Sequence, residues 1–555
     1  MSLKKGIAIG IGALLGGGGG FWLQEEYMAR HRKSTNDHIE EEAERIFQRY
    51  VEKKRSDYEL ENYSGTHSAL PLQFFEPENV QQLEALVAEA HKFGQKLRPV
   101  GRFLSPNGIA SCGMGMISLS GCDKIINVDK KMKQITVEAG AVVSDVLDVL
   151  DGHNLTLQNF SSIKEQQIGG WTQVGAHGTG ATLSTVDEMI TKLKVVTPGR
   201  GTLELSEDSN SLEERDMFKM VRCGLGSLGI VSEVTLQCTD SHFLRERTSF
   251  LQVQDLKKSH ADRLRDYRHL RYMWIPYRNE VIMVSANPAK ANNDDVPRAK
   301  ATADPLRQMK TLLSQTREQY GMKKMNEKAV KSLSFAGVRD ELLDIDPLNT
   351  DLVKKINSAE AEFWKLSEGV RQGKSNDILG FDCGGQQWVL EVAFSTGTLS
   401  SPTYADIDFV VELKERLEKE NIPAPAPIEQ RWTSSSSSYM SPAYSEDKNE
   451  VFSWVGIIMY LPAGQDEADR KRIGDAFKRY CKIMTDVGEK YDIVPHWAKI
   501  EIPVGEDGNA NEQELKEVRK RIHRRYKTKK FNEYRRALDP KSVLANEMIE
   551  KIFAE

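Results

Sequence analysis

Apolar and polar positions along this chain follow two periods, and the period changes often. In "PENVQQLEALVAEAHKFG" the apolar residues Val80, Leu83, Leu86, Val87 and Ala90 recur at three- and four-residue steps, which lines one face of a helix. Pro77 lies near its start and Gly94 stands as the C-cap. "KLRPVG" reads as a short strand running into a turn, and "KIINVDKKMKQITVEAG" as a hairpin turning at "DKKMK". "SDVLDVLDGH" returns to helical spacing, with Ser144 as the expected N-cap. A hairpin, "ITKLKVVTPGRGTLEL", a helix, "LEERDMFKMVRCG", and a strand, "GIVSEVTLQC", follow. So many hairpins exclude a sheet built only from βαβ units; the fold class is α+β.

The N-terminus has a different texture. "KKGIAIGIGALLGGGGGFWL" carries no charge between Lys5 and Glu25, close to the minimum that spans a bilayer. The glycines from Gly16 to Gly20 weaken it as a helix. Residues 1–35 are therefore expected to form a membrane anchor or interfacial helix, with a cleaved targeting segment or a glycine-rich leader as alternatives. Residues 36–62 place Ile39, Ala43, Ile46, Phe47 and Tyr50 at helical spacing among many charges, which suits a linker helix or a helix packed on the body.

Composition narrows the picture. At 555 residues the chain holds two or three domains. A net charge of −5 gives no nucleic-acid surface. Six cysteines (Cys112, Cys122, Cys223, Cys238, Cys383 and Cys481) are scattered without a CxxC pair or metal-ligand spacing, so reduced thiols are expected and no metal.

The candidate chemistry begins at "IGGWTQVGAHGTG", residues 168–180, where glycine is concentrated around His177. Successive backbone N–H groups in such a turn can cradle a pyrophosphate. "PVGRFLSPNG", after a strand, offers a second turn of this kind. Two such loops suggest a dinucleotide held between them. "GLGSLG" matches the GxGxxG fingerprint, but a helix precedes it and a strand follows; that reversed order argues against a Rossmann site. His177, bracketed by small residues, is expected to fix its loop by hydrogen bonding. Glu429 and Arg431 in "PIEQRW" stand at i and i+2, so on a strand they share a face. Alone they read as a surface ion pair. Ser434–Ser438 and the polar stretch from Ala289 to about Asp304 read as loops.

"RPVGRFLSPNGI", "LTLQNFSSIKEQQIGGWTQVGAHGTGA", "RCGLGSLGIVSEVTLQC", "LGFDCGGQQWV", "PIEQRWT", "FSWVGIIMYLP" and "HWAKIEIP" occur in that order. Together they resemble the L-galactono-1,4-lactone dehydrogenases, in the aldonolactone oxidoreductase branch of the vanillyl-alcohol-oxidase family of flavoproteins. The resemblance implies a two-subdomain FAD-binding domain over residues 63–240 and a cap domain with a large antiparallel sheet over 241–500. "RYMWIPYRNEVIMVSAN" would be a hairpin of that cap. Residues 501–555 would return to the FAD domain as helices.

On the resemblance, FAD would be held by Pro99, Val100, Gly101, Arg102, Phe103, Leu104 and Ser105, by Ser161 and Ser162, and by Gly169 and Gly170. Gly175, Ala176, His177, Gly178, Thr179 and Gly180 would also hold it, as would Gly226, Gly229 and Ile230. Many relatives carry at the position of Leu104 a histidine bonded to the flavin; leucine implies noncovalent FAD. Glu429 and Arg431 would hold the lactone, and His496 and Lys499 of "HWAK" would lie near the flavin. The implied reaction takes a hydride from lactone C2 and a proton from its hydroxyl, giving the ene-diol of ascorbate, with cytochrome c as acceptor. The implied location is the mitochondrial inner membrane, with the catalytic body in the intermembrane space and respiratory complex I or its assembly intermediate as a further partner. A small residue at Ser161 would restrict oxygen, and oxidation of Cys383 would inactivate. A scaffold role in complex I assembly, or a gulonolactone-type oxidase using oxygen, stands as the alternative.

Overall fold

Asn79 caps the helix Val80–Phe93: its side chain accepts from the Gln82 amide, and Gly94 ends the helix at φ 65° as expected. Leu83, Leu86, Val87 and Ala90 are buried on the predicted face. This is the first helix of a computed structural model that describes residues 59–291, 304–380, 384–505 and 510–554. The apolar segment 1–35, most of the linker 36–62, most of the polar stretch after Ala289, and Cys383 lie outside the described residues. Among the described residues no helix is long and apolar enough to cross a membrane.

Around the helix lie two small sheets. Gln73–Phe75, Gly115–Ser118 and Arg98–Val100 are parallel, in that order. The strands Gly201–Ser206, Ile190–Thr197, Ile230–Gln237, Gln134–Glu138 and Ile125–Asp129 form an antiparallel five, in that order. Both expected hairpins are present.

Two local expectations are corrected. Ser144 lies inside the helix Val143–Gly152, which starts from Val142 with no side-chain cap. Its first amides need none, because Val143 N and Ser144 N already donate to the carbonyls of Gln166 and Lys164. Nor is the glycine stretch all loop. Ile168–Gln173 forms a short helix, and Thr172 Oγ1 bonds back to Ile168 O at 2.9 Å.

From Phe243 the chain builds a nine-stranded sheet. Its strands run Gly369–Lys374, Phe243–Gln252, Glu280–Ala289, His269–Trp274, Ile428–Ser434, Glu450–Tyr460, Gln387–Thr398 and Ser401–Pro402, with Val494–Pro495 beside Gln387–Thr398. Every pairing is antiparallel, and each strand alternates its side chains between two faces. One face packs Leu270, Tyr272, Trp274, Ile428, Trp432, Val455 and Ile457 against Leu413, Phe477 and Tyr480 from the helices Ala405–Lys419 and Glu467–Gly488. The other face lines a cavity.

The helices Arg307–Gln319, Phe335–Ile345 and Thr350–Leu366 pack over the far end of that second face, around Tyr460. The C-terminal helices return to the first body, where Ile522, Phe531, Leu538 and Ile549 share a core with Leu83 and Val87.

The serine run is a third correction. Ser436 and Ser438 are buried rather than looping free. Ser436 Oγ donates to Asp187 at 2.5 Å, and Ser437 N donates to Glu188 at 2.7 Å. Arg222 clamps the same Glu188 at 2.6 Å.

Candidate active site

The turn after Arg98–Val100 opens the first cavity. Pro99, Val100, Gly101, Arg102, Phe103, Leu104 and Ser105 line it on one side. Gly169, Gly170, Gly226, Gly229 and Ile230 line it on the other. Phe103 holds the left-handed conformation at φ 53°, a strain of the kind that persists at ligand sites. A Cβ added to Gly170 would meet nothing within 4 Å. Gln167 Oε1 is buried at this wall without a hydrogen-bond partner among the described residues.

Arg98 is buried there too, donating to the carbonyls of Ile109, Leu225 and Leu544 at 2.8–3.0 Å. Burial lowers its pKa to about 10, so it stays cationic at neutral pH. An open glycine wall, an orphan acceptor and a buried cation fit a dinucleotide with its pyrophosphate.

Leu104 lines both this cavity and the second one, so it stands where the redox end of such a ligand would reach. Its side chain offers no nucleophilic atom. Acid precipitation of the holoprotein is therefore expected to leave a colourless pellet and all the flavin in the supernatant; a yellow pellet would overturn this.

The second cavity holds the polar cluster. On Ile428–Ser434 the residues Ile428, Gln430 and Trp432 are buried in the dry core, so Glu429 and Arg431 face the cavity together with Lys499. Arg431 sits directly across from Arg271 on the neighbouring strand, where like charges repel. Two carboxylates offset this. Glu391 Oε1 accepts from Arg431 Nη2 at 2.8 Å. Glu429 lies 3.8 Å from Arg431 Nε and 3.5 Å from Arg271 Nη1. Gly456 pairs in register with both Glu391 and Glu429, so no side chain fills the space between the two acids.

Glu391 is 5% exposed. Burial opposes its ionisation, yet His177 and Arg431, with Lys499 beyond, hold its carboxyl well below the usual range. His177 Nε2 lies 3.3 Å from Glu391. The other ring nitrogen, Nδ1, makes the expected loop-fixing bond to Gly178 O at 2.9 Å, and the ring stacks on Trp454 at 3.7 Å. Burial pulls the His177 pKa down.

His496 lies behind the cluster. Its amide donates to Glu391 O at 2.9 Å, and its Nδ1 accepts from Ala498 N at 3.0 Å. Burial, then Lys499, lowers its pKa to about 3, so it is neutral at physiological pH. His177, Glu391 and His496 stand close enough to share an ion. Their single carboxylate already serves Arg431, and Lys499 is near, so a divalent metal would sit among fixed cations.

The other predicted residues fall as follows. Ser162, Gly178 and Thr179 line a small recess beside Arg431 and Arg271. Gly175 packs against Pro442 and Cys223, and Ala176 is buried in the core of the first body. Gly180, at φ 147°, donates to Trp432 O at 2.7 Å and so joins the glycine stretch to the large sheet. Ser161 Oγ is tied to Gln166 and receives the Trp171 indole N–H at 3.1 Å. Sequence reasoning missed Glu391, Arg271 and Arg98. An acid inside the apolar strand "WVLEVAF" was the available signal for the first.

Comparison with known proteins agrees with this geometry. Residues 71–206 match the FAD binding domain family, and residues 234–552 match the D-arabinono-1,4-lactone oxidase family. The mitochondrial L-galactono-1,4-lactone dehydrogenase of Arabidopsis thaliana is 45% identical over 91% of this chain and 83% of its own. The L-gulonolactone oxidase of Bos taurus is 26% identical over 89% of this chain and 98% of its own. Among solved structures, cholesterol oxidase from B. sterolicum superposes with a TM-score of 0.68 at 14% identity, covering 89% of this chain and 96% of that one. That likeness is one of fold.

Proposed function

The chain belongs to the aldonolactone oxidoreductases, FAD-dependent enzymes of the vanillyl-alcohol-oxidase fold, and from that premise we propose that it oxidises L-galactono-1,4-lactone to L-ascorbate in the mitochondrion with cytochrome c as acceptor. The observation that carries the reading is the cluster of Glu429, Arg431 and Lys499 on one cavity wall, with Leu104 at the junction to the dinucleotide cavity. FAD, when bound, accepts the two electrons and the C2 hydrogen of the lactone.

The protein's part is orientation and charge. Arg431 donates to the lactone oxygens through a planar fork that Glu391 holds in place. Glu429 accepts from the hydroxyls, and its carboxylate takes the C2 hydroxyl proton. Lys499 places a cation at the same wall and steadies the negative charge that develops as the proton leaves. The keto-lactone released then tautomerises to the ene-diol.

The dehydrogenase reading, rather than the oxidase one, is supported by 45% identity to a named dehydrogenase against 26% to a named oxidase. Steady-state rates with galactono- and gulonolactone, each with cytochrome c or oxygen, test it. Faster turnover with oxygen than with cytochrome c would defeat it.

Ser161 supplies a sharper test. Its hydroxyl is tied to Gln166 and Trp171, and we propose that this position limits the approach of oxygen to the flavin. Ser161→Gly opens that space, and stopped-flow reoxidation of the lactone-reduced enzyme in aerated buffer is expected to accelerate. Native reoxidation as fast as the variant's would remove the gate.

A further inference from the structure

The second cavity continues past the lactone cluster. Gly456, Ile458 and Tyr460 line it in succession along one strand face. Tyr460 lies four residues beyond Gly456, about 13 Å at ~3.3 Å per residue, out of reach of a six-carbon lactone held at Arg431. At this distal end two helices lay charged groups over the sheet. Arg339, from Phe335–Ile345, is 7% exposed, and its guanidinium stacks over the Tyr460 ring at 4.2 Å and lies 5.4 Å from that of Phe335. Its Nε has no hydrogen-bond partner among the described residues; the Asp340 carboxylate lies 3.9 Å from it, beyond bonding distance. Glu360, from Thr350–Leu366, is 2% exposed. Its Oε1 accepts from Trp364 Nε1 at 3.2 Å, while Oε2 has no partner among the described residues.

Buried polar atoms are rarely left unpaired, and each exception needs a reason. Here a guanidinium and a carboxyl line one cavity end, close enough to interact electrostatically yet unsatisfied at Nε and Oε2. Burial raises the Glu360 pKa against the opposing pull of Arg339. The rings of Tyr460, Phe335 and Trp364 supply flat apolar walls.

We propose that the distal end of the cavity, formed by Arg339, Glu360, Trp364 and Tyr460, is a second binding site that takes a polyhydroxylated monoanion while the lactone site remains separate. Arg339 takes the anionic oxygens, Glu360 donates to or accepts from a hydroxyl, and the rings cover the carbon skeleton. Two molecules share this chemistry: the aldonate formed by opening the lactone ring, and the ene-diolate of the product.

The test is calorimetric titration of the oxidised holoenzyme with L-galactonate and with L-ascorbate, galactitol being the neutral control. At least one anion is expected to bind and galactitol not to; the tighter anion identifies the source. Arg339→Gln is expected to weaken binding at least about tenfold, the loss of a charge-assisted contact, and Arg431→Ala to leave it unchanged. Should Arg339→Gln fail to retain flavin, Glu360→Gln carries the test, because the amide can still donate to or accept from a hydroxyl while carrying no negative charge, and it should bind the anion at least as tightly. Binding lost in Arg431→Ala but kept in Arg339→Gln would assign the anion to the lactone site and overturn the proposal. So would the absence of heat from either anion in the millimolar range, or loss of binding in Glu360→Gln.

Discussion

Arg431→Ala is expected to keep its FAD and to lose roughly 10²–10³-fold in kcat, the effect of removing one charged donor from a preorganised site. The dinucleotide cavity does not include Arg431, so flavin content should match the native protein. The lactone loses its fork, and Glu391 loses its 2.8 Å partner. Arg431→Lys should not restore the rate. A lysine keeps the charge but cannot reach Glu391 and a lactone oxygen with two coplanar N–H groups. Rates and flavin absorbance of both variants decide the matter. A lysine variant within a few-fold of native kcat/KM would show that charge alone suffices.

The second large effect is expected at Glu391. Removing one member of a buried charge group leaves the others uncompensated and costs about 3–5 kcal/mol. Glu391→Gln keeps the shape, so the loss falls on charge: Arg431 and Lys499 face a neutral amide. The native carboxyl titrates well below its ordinary value. A depressed folded pKa gives stability that is complete above the unfolded value, about 4.3, and is lost as pH falls through the folded one. Denaturant midpoints at pH 7 should therefore separate the native protein from Glu391→Gln widely, and the gap should shrink as the pH falls below about 4. Equal midpoints at pH 7 would mean that Glu391 contributes nothing through its charge. Since burial keeps His496 neutral, no activity inflection near pH 6–7 is expected from it.

Much of this site was legible one strand at a time. Alternation alone placed Glu429 and Arg431 on a shared face, and the dry core behind Ile428, Gln430 and Trp432 is the reason they point into the cavity. Glu391 was not legible in the same way. It meets Arg431 forty residues away through the register of Gln387–Thr398 and Ile428–Ser434 on either side of Glu450–Tyr460, and no local period encodes a register. The serine run failed for a related reason. Its composition predicts an exposed loop, but Asp187 and Glu188, some 250 residues earlier, satisfy its hydroxyls and amides in the interior. Ser144 misled because caps are inferred from side chains, whereas the backbone of Lys164 and Gln166 took the free amides.

The two unlike faces of the nine-stranded sheet carry a consequence for how such an enzyme changes over generations. Ile428, Trp432, Val455 and Ile457 pack on the helices behind, while Glu429, Arg431, Gly456, Ile458 and Tyr460, on the opposite face of the same strands, line the cavity. A substitution at Met273, Gly456 or Ile458 alters what the cavity accepts without touching Trp274, Val455 or Ile457. Preference for a new hydroxylated or apolar compound can thus drift residue by residue while the scaffold stays intact. Libraries confined to the cavity-facing positions should return folded protein far more often than libraries of equal size spread along the same strands.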